Sequence, residues 1–200
     1  MRSEPSDEAL MADAQRGREE AFHELALRLR GRLVRFLRRL GCEEATAQDL
    51  AQEALLRLWL RRGSYQRGRP VGPYVLAIAH NVWADHQSAR RTRPVPLAAL
   101  PHGGTRLLRA DRAADATPES LLLEGYRRFR IERAVRGLPE PERLVFVLAH
   151  YEQLAYREVA QVLGIAEGTV KSRMFRAVRA LRAALPDLDP GAPGHREEQR

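Results

Sequence analysis

The sequence predicts an all-α protein made of two small helical domains joined by a flexible linker. Apolar residues recur at three- and four-residue spacings in both halves, no alternating run is long enough for a strand, and a stretch rich in Pro and Gly separates the halves. The composition agrees. Aromatics are 6% of the 200 residues against 44% hydrophobic residues in all, so the core must be built mainly from Leu, Val and Ala, as in helical proteins.

Taken in order, Phe22, Leu25, Leu29, Leu33, Phe36 and Leu40 mark the apolar face of one helix, which Gly41 stops. Six arginines between Arg28 and Arg39 decorate the rest of it without an intervening acid. Leu50, Ala51, Ala54, Leu55 and Leu58 mark a second helix ending near Trp59. The segment 61–73, with three glycines and two prolines, reads as a loop. Val75, Ile78, Val82 and Trp83 give a third face, and the three helices make a bundle over residues 8–91.

Residues 92–118 hold Pro94, Pro96, Pro101, Pro118 and the pair Gly103–Gly104, a composition suited to a mobile linker. Helical periodicity returns at Leu122, Tyr126, Ile131 and Val135 and breaks at Leu138–Pro139. Pro141 lies in the first turn of the next helix, where its missing N–H does no harm, and that helix runs to about Tyr151. The second domain spans 119–185, and the tail 186–200 reads as disordered.

Charge narrows the function. There are 34 basic and 26 acidic side chains, a formal charge of +8, which favours a polyanionic partner. Cys42 is the only cysteine, excluding an internal disulfide and any multi-cysteine metal site, and it reads as an inert, partly buried thiol. The first twenty residues carry no apolar run of the signal-peptide kind, and no stretch approaches a membrane span, so a cytoplasmic location is expected. An enzyme is not expected, nor a cofactor or a bound metal. The six histidines are scattered, His80 and His86 stand six apart, and there is no phosphate-binding GxxxxGK[ST] or nucleophile GxSxG motif.

The segment LAYREVAQVLGIAEGTVKSRMFRAVRALR, residues 154–182, has the layout of a helix-turn-helix. A short helix from Tyr156 to Leu163 offers Val159, Ala160 and Leu163 to the interior, Ala160 being small enough for two helices to cross closely. Gly164 can take the left-handed conformation that ends it, and Ile165 plugs the corner. The second helix starts near Glu167, turns Val170, Met174, Val178 and Leu181 inward, and presents Thr169, Lys171, Ser172, Arg173 and Arg176. Such a helix fits the major groove, though a hairpin with a solvated basic face is the bland alternative.

With these residues in place, both halves resemble one family, the extracytoplasmic-function (ECF) group of bacterial RNA polymerase sigma factors. Residues from Leu138 to Arg182 resemble region 4, with its leading LPxxxR and its GTVKSR recognition helix. DLAQEALLRLW (49–59) resembles region 2.2, and PYVLAIAHNVWADHQSARR (73–91) resembles the strand-separating part of region 2. Four positions depart from the family pattern and bear on promoter preference and melting: Tyr74 for Trp, His80 and Ser88 for Arg, and Ala166 for Ser.

The resemblance implies core RNA polymerase and promoter DNA as partners, and an anti-sigma factor is among the partners it allows. It implies polymerase binding through Asp49, Gln52 and Glu53, two of which stand four apart on one helical face. It implies minus-ten recognition through Tyr65, Tyr74, His80, Asn81, Asp85, Arg90 and Arg91. Unstacked bases need such stacking surfaces and separated phosphates such cations. Asp85 has a second reading, as a side chain that orients Arg90 or His86. Minus-thirty-five recognition falls to Arg157, Thr169, Lys171, Ser172, Arg173 and Arg176. The competing reading is an operator-binding helix-turn-helix regulator, which explains 154–182 and leaves 49–59 and 73–91 without a role.

Overall fold

A computed structural model describes residues 4–92 and 118–188. These residues are helical with no strand among them, and the expected interior of the linker and most of the tail lie outside them. The first half holds four helices, one more than the periodicity indicates: α1 (Asp7–Gln15), α2 (Glu19–Arg39), α3 (Glu44–Leu60) and α4 (Val71–Thr92). Helix α1 is short, with only Leu10, Met11 and Ala14 buried, too few apolar positions for a readable stripe.

Tertiary hydrogen bonds hold α1 in place. Gln15 donates to the carbonyls of Arg62 and Tyr65 at 2.9 and 2.7 Å. The Glu8 carboxylate accepts from the Val71 N–H at 3.2 Å, capping the start of α4. Hydrogen bonds from its own backbone N–H and that of Val71 hold the Glu8 carboxyl below its ordinary pKa. Helix α4 begins at Val71, so the loop expected over 61–73 is shorter by three residues. Pro73 falls in the first helical turn, where no intrahelical donor is lost.

Phe36 and Leu33 of α2, Ala51 and Leu58 of α3, and Val75, Leu76 and Trp83 of α4 are fully enclosed. The thiol of Cys42 is half-buried, and burial pushes it up to about 11 despite the nearby charges of Arg90 and Arg143.

The second half contains α5 (Pro118–Gly137), α6 (Glu140–Phe146), α7 (Tyr156–Leu163) and α8 (Glu167–Ala184). A wider π-helical turn, Val147–Tyr151, continues α6 to the expected end, and Val145, Val147 and Leu148 of this stretch are fully buried. Gly164 ends α7 with φ +65°, the left-handed conformation its sequence position calls for. In α8 the buried axis is Val170 and Ala177, while Met174, Val178 and Leu181 are only half-buried.

The two halves are in contact. Helix α4 packs against α7, and one continuous apolar cluster contains residues of both.

Two predictions follow from local structure. Ala166 occupies the N-cap of α8 in an extended conformation with no side-chain cap, whereas Ser6 caps α1 by accepting from Ala9 N–H at 3.2 Å. Ala166→Ser should raise the unfolding free energy by about 1 kcal/mol, read from urea denaturation. The raised Cys42 thiol should alkylate about a hundredfold or more slowly at pH 8 in the native protein than in the unfolded one. Its contribution to stability is complete below the unfolded-thiol pKa and is lost as pH rises toward the folded value of about 11.

Candidate nucleic-acid and polymerase interfaces

Three surfaces carry the residues singled out in the sequence. On α3, Asp49 and Gln52 are exposed, and Glu53 is partly exposed beside Arg57, whose Nε donates to it at 2.8 Å. Arg57 Nη1 also donates to Asp85 on α4 at 2.8 Å. These hydrogen bonds, that with Asp85 foremost, raise the Arg57 pKa. For Asp85, read from the sequence as a minus-ten residue or as a side chain that orients Arg90 or His86, the side-by-side packing of α3 and α4 supplies Arg57 as a partner.

Beside this acidic face lies an apolar one that sequence reasoning missed. Leu56 is 51% and Leu60 68% exposed, next to a crevice lined by Phe22, His23 and Trp59. Trp59 meets the Phe22 ring at 4.8 Å between centroids, with the Arg62 guanidinium 3.8 Å over its own ring. A signal existed: Leu56 and Leu60 are apolar residues off the stripe that α3 buries.

Helix α4 divides its surface. Asn81, Asp85 and Arg90 are exposed; the Arg91 side chain lies outside the described residues. His80 is half-buried, with its ring 6.1 Å from that of Trp83. Burial lowers its pKa, against the opposing influence of a hydrogen bond with Asn81 and the Glu140 carboxylate. Tyr65 is buried, its hydroxyl donating to the Arg69 carbonyl, and its ring lies 5.4 Å from that of half-buried Tyr74. Burial raises both phenols. The structure thus brings Tyr65 and Tyr74 together but encloses Tyr65 in this arrangement.

The third surface is the outer face of α8. Lys171 is exposed and pairs with Glu167 at 2.9 Å, which raises its pKa. Ser172 donates to the Thr169 carbonyl at 3.0 Å, and Thr169 is half-buried. Arg176 donates from Nε to Glu142 of α6 at 2.9 Å, so α6 steers its guanidinium. Arg173 is half-buried and pairs with no described carboxylate; Arg157 on α7 is exposed. Phe175, 68% exposed on the same helix, was not singled out by the sequence reading. The arrangement offers a cationic helix with hydroxyls at its start, of a size to enter a major groove. No cluster of metal-ligating side chains occurs among the described residues, nor a helix long and apolar enough to cross a membrane.

Residues 25–93 match Sigma-70 region 2, and residues 128–181 match Sigma-70, region 4. The ECF RNA polymerase sigma factor SigL of Mycobacterium tuberculosis is 33% identical over 78% of this chain and 84% of its own length. An RNA polymerase sigma-E factor of Streptomyces coelicolor is 31% identical over 90% of this chain and 95% of its own. Among solved structures, CnrH in complex with the cytosolic domain of CnrY has the same fold, with TM-score 0.63 and 24% identity over 92% of this chain and 98% of that one. The sigma factor RpoE of Bartonella quintana, in complex with the anti-sigma factor NepR, gives TM-score 0.63 and 20% identity over 84% and 98%. With both regions matched in order on an all-helical fold, the chain belongs to the ECF group of RNA polymerase sigma factors.

Proposed function

We propose that this sigma factor binds core RNA polymerase and directs promoter-specific initiation, acting in the cytoplasm by binding rather than by catalysis. The observation that carries the reading is the presence of regions 2 and 4, in that order, on one chain. An operator-binding regulator would need only the second. The exposed carboxamide and carboxylates of Gln52, Asp49 and Glu53, with Leu56 and Leu60 beside them, form the polymerase-binding face. Its mixture of charge and apolar area suits a protein partner better than DNA, whose phosphates the carboxylates would repel.

In this reading the first domain, 8–91, opens the promoter and reads the minus-ten element with Asn81, Asp85, Arg90 and Arg91, together with Tyr65, Tyr74 and His80 once their faces are uncovered. The linker 92–118 lets the second domain, 119–185, reach the minus-thirty-five duplex, where Arg157, Thr169, Lys171, Ser172, Arg173 and Arg176 face the groove. Weak contacts at each module add through effective concentration, so the free protein should bind promoter duplex poorly. A protein antagonist of the kind bound in the Bartonella quintana structure is a third proposed partner.

Run-off transcription on a genomic fragment library, with core polymerase plus or minus this protein, tests the reading. Discrete new transcripts sharing two upstream elements are expected. Their absence, with specific retention of duplex by the protein alone, would replace the reading with the operator-binding one. Arg173→Ala should then weaken promoter use by about 1–3 kcal/mol at one base pair of the minus-thirty-five element if the guanidinium pairs bidentately with guanine. An equal loss on every sequence would make it a phosphate contact.

A further inference from the structure

Helix α1 has no part in the functional reading above, yet its last residue grips the loop between α3 and α4. Gln15 is half-buried, and its side-chain amide is engaged at both ends. Nε2 donates to the Arg62 and Tyr65 carbonyls at 2.9 and 2.7 Å, and Oε1 accepts from Arg67 Nε at 2.9 Å. Turned end for end, the amide would set oxygen against the two carbonyls and N–H against the guanidinium, so the contacts admit one orientation.

The loop that Gln15 holds is braced at its tip. The Arg69 N–H donates to the Gln66 carbonyl at 3.3 Å across Arg67 and Gly68, and Gly68 has φ +86°. That bond and that angle belong to a type II turn, whose third residue must be left-handed. The Tyr65 hydroxyl closes the base of the turn on the Arg69 carbonyl, and Glu8 caps the chain where it enters α4, accepting from Val71 N–H at 3.2 Å. Arg67 stands at the second position of the turn and is exposed. With its Nε fixed on Gln15, both Nη groups are left for an external acceptor. Residues 61–70 carry Arg61, Arg62, Arg67 and Arg69 and no acid. Arg62 is occupied, stacked over Trp59 and donating to its carbonyl at 2.9 Å. Tyr65, at the base of the turn, adjoins Tyr74 on the surface assigned to the opened minus-ten element.

We infer that Arg67 grips a backbone phosphate of the separated promoter strand, and that Gln15 of α1 is the positioning residue that aims it. The inference rests on the functional reading above. A guanidinium that offers both Nη groups end-on matches two oxygens of one phosphate. An arginine loose at a loop tip would lose its rotamer freedom on binding; here the turn and Gln15 impose that loss when the protein folds, so the contact forms with little further ordering. A phosphate contact carries no sequence information, and it holds the strand in register while neighbouring side chains meet the bases. Helix α1 thereby acts on the promoter without touching it.

The test uses the full chain assembled with core polymerase, on a promoter identified by run-off transcription, and measures promoter affinity across a salt series. Four forms are compared: wild type, Arg67→Ala, Gln15→Met and the double variant. Arg67→Ala should weaken affinity about tenfold. It should also flatten the slope of log affinity against log salt by about 0.7, the share of one phosphate on a single strand. Gln15→Met keeps the length of the side chain and removes its polar groups, and it should reproduce both changes. Because the two residues act as one device, the double variant should lose no more than the worse single one. Losses that multiply in the double variant would overturn the aiming role of Gln15. An unchanged salt slope in Arg67→Ala, or a loss confined to one base of the minus-ten element, would overturn the phosphate contact. If circular dichroism shows Gln15→Met unfolded, Gly68→Ala replaces it: its Cβ meets open space, but φ +86° strains the turn that carries Arg67. Gly68→Ala should then show the same loss, and wild-type affinity in that variant would overturn the role of the turn. A wild type that yields no promoter-specific transcript sinks the functional reading and this inference with it, before any variant is compared.

Discussion

Helix α4 must bury Val75, Leu76, Ile78, Ala79, Val82 and Trp83 while leaving Asn81, Asp85 and Arg90 in solvent, and that division of one helical surface constrains whatever packs on it. With 3.6 residues per turn, these six buried positions in nine residues fall within an arc of about 160°, a little under half of the circumference. Helices α2 and α3 take the buried side. Glu8 of α1 caps its start, and α7 of the second half lies against it. The residues at the seam, His80 and Tyr74, are half-buried for this reason. A side chain on the seam can take a new partner only by changing its present neighbours.

The arginines sort by what confines them. Arg28 shares its charge with Glu24 and Asp7 on an exposed surface, where such pairs contribute little. Arg57 holds Glu53 of its own helix and Asp85 of the next, and so ties the exposed side of α3 to that of α4. Arg176 is held by Glu142, which fixes the direction of its guanidinium on the outer face of α8. An arginine held in place loses less side-chain entropy on binding than a free one.

Much of this was legible in the sequence because the information was local. The αL glycine at 164, the small residue at 160 and the apolar steps to Val170 specify a helix-turn-helix within a few turns, and the structure reproduces its bounds. Helix α1 was not legible, since three buried residues in nine make no stripe and its anchors, Gln15 and Glu8, bond to backbone some fifty to sixty residues away. The Asp85–Arg57 pair was hidden for the same reason. A helix periodicity says which face is inward but not which neighbour stands beside it. The contact between halves was equally hidden: Glu152 reads as one more solvated acid until Arg32 and Arg39 are found around it.

A basic, arginine-rich chain faces a difficulty that its own charge creates. At +8 it attracts any polyanion, and non-specific DNA offers far more phosphate than any promoter. Keeping the duplex-reading helix α8 exposed while α4 is partly covered limits what stray duplex can engage to one module. One module alone lacks the effective-concentration gain of two, so binding away from promoters stays weak. In the proposed reading, specificity then comes from requiring both modules at once.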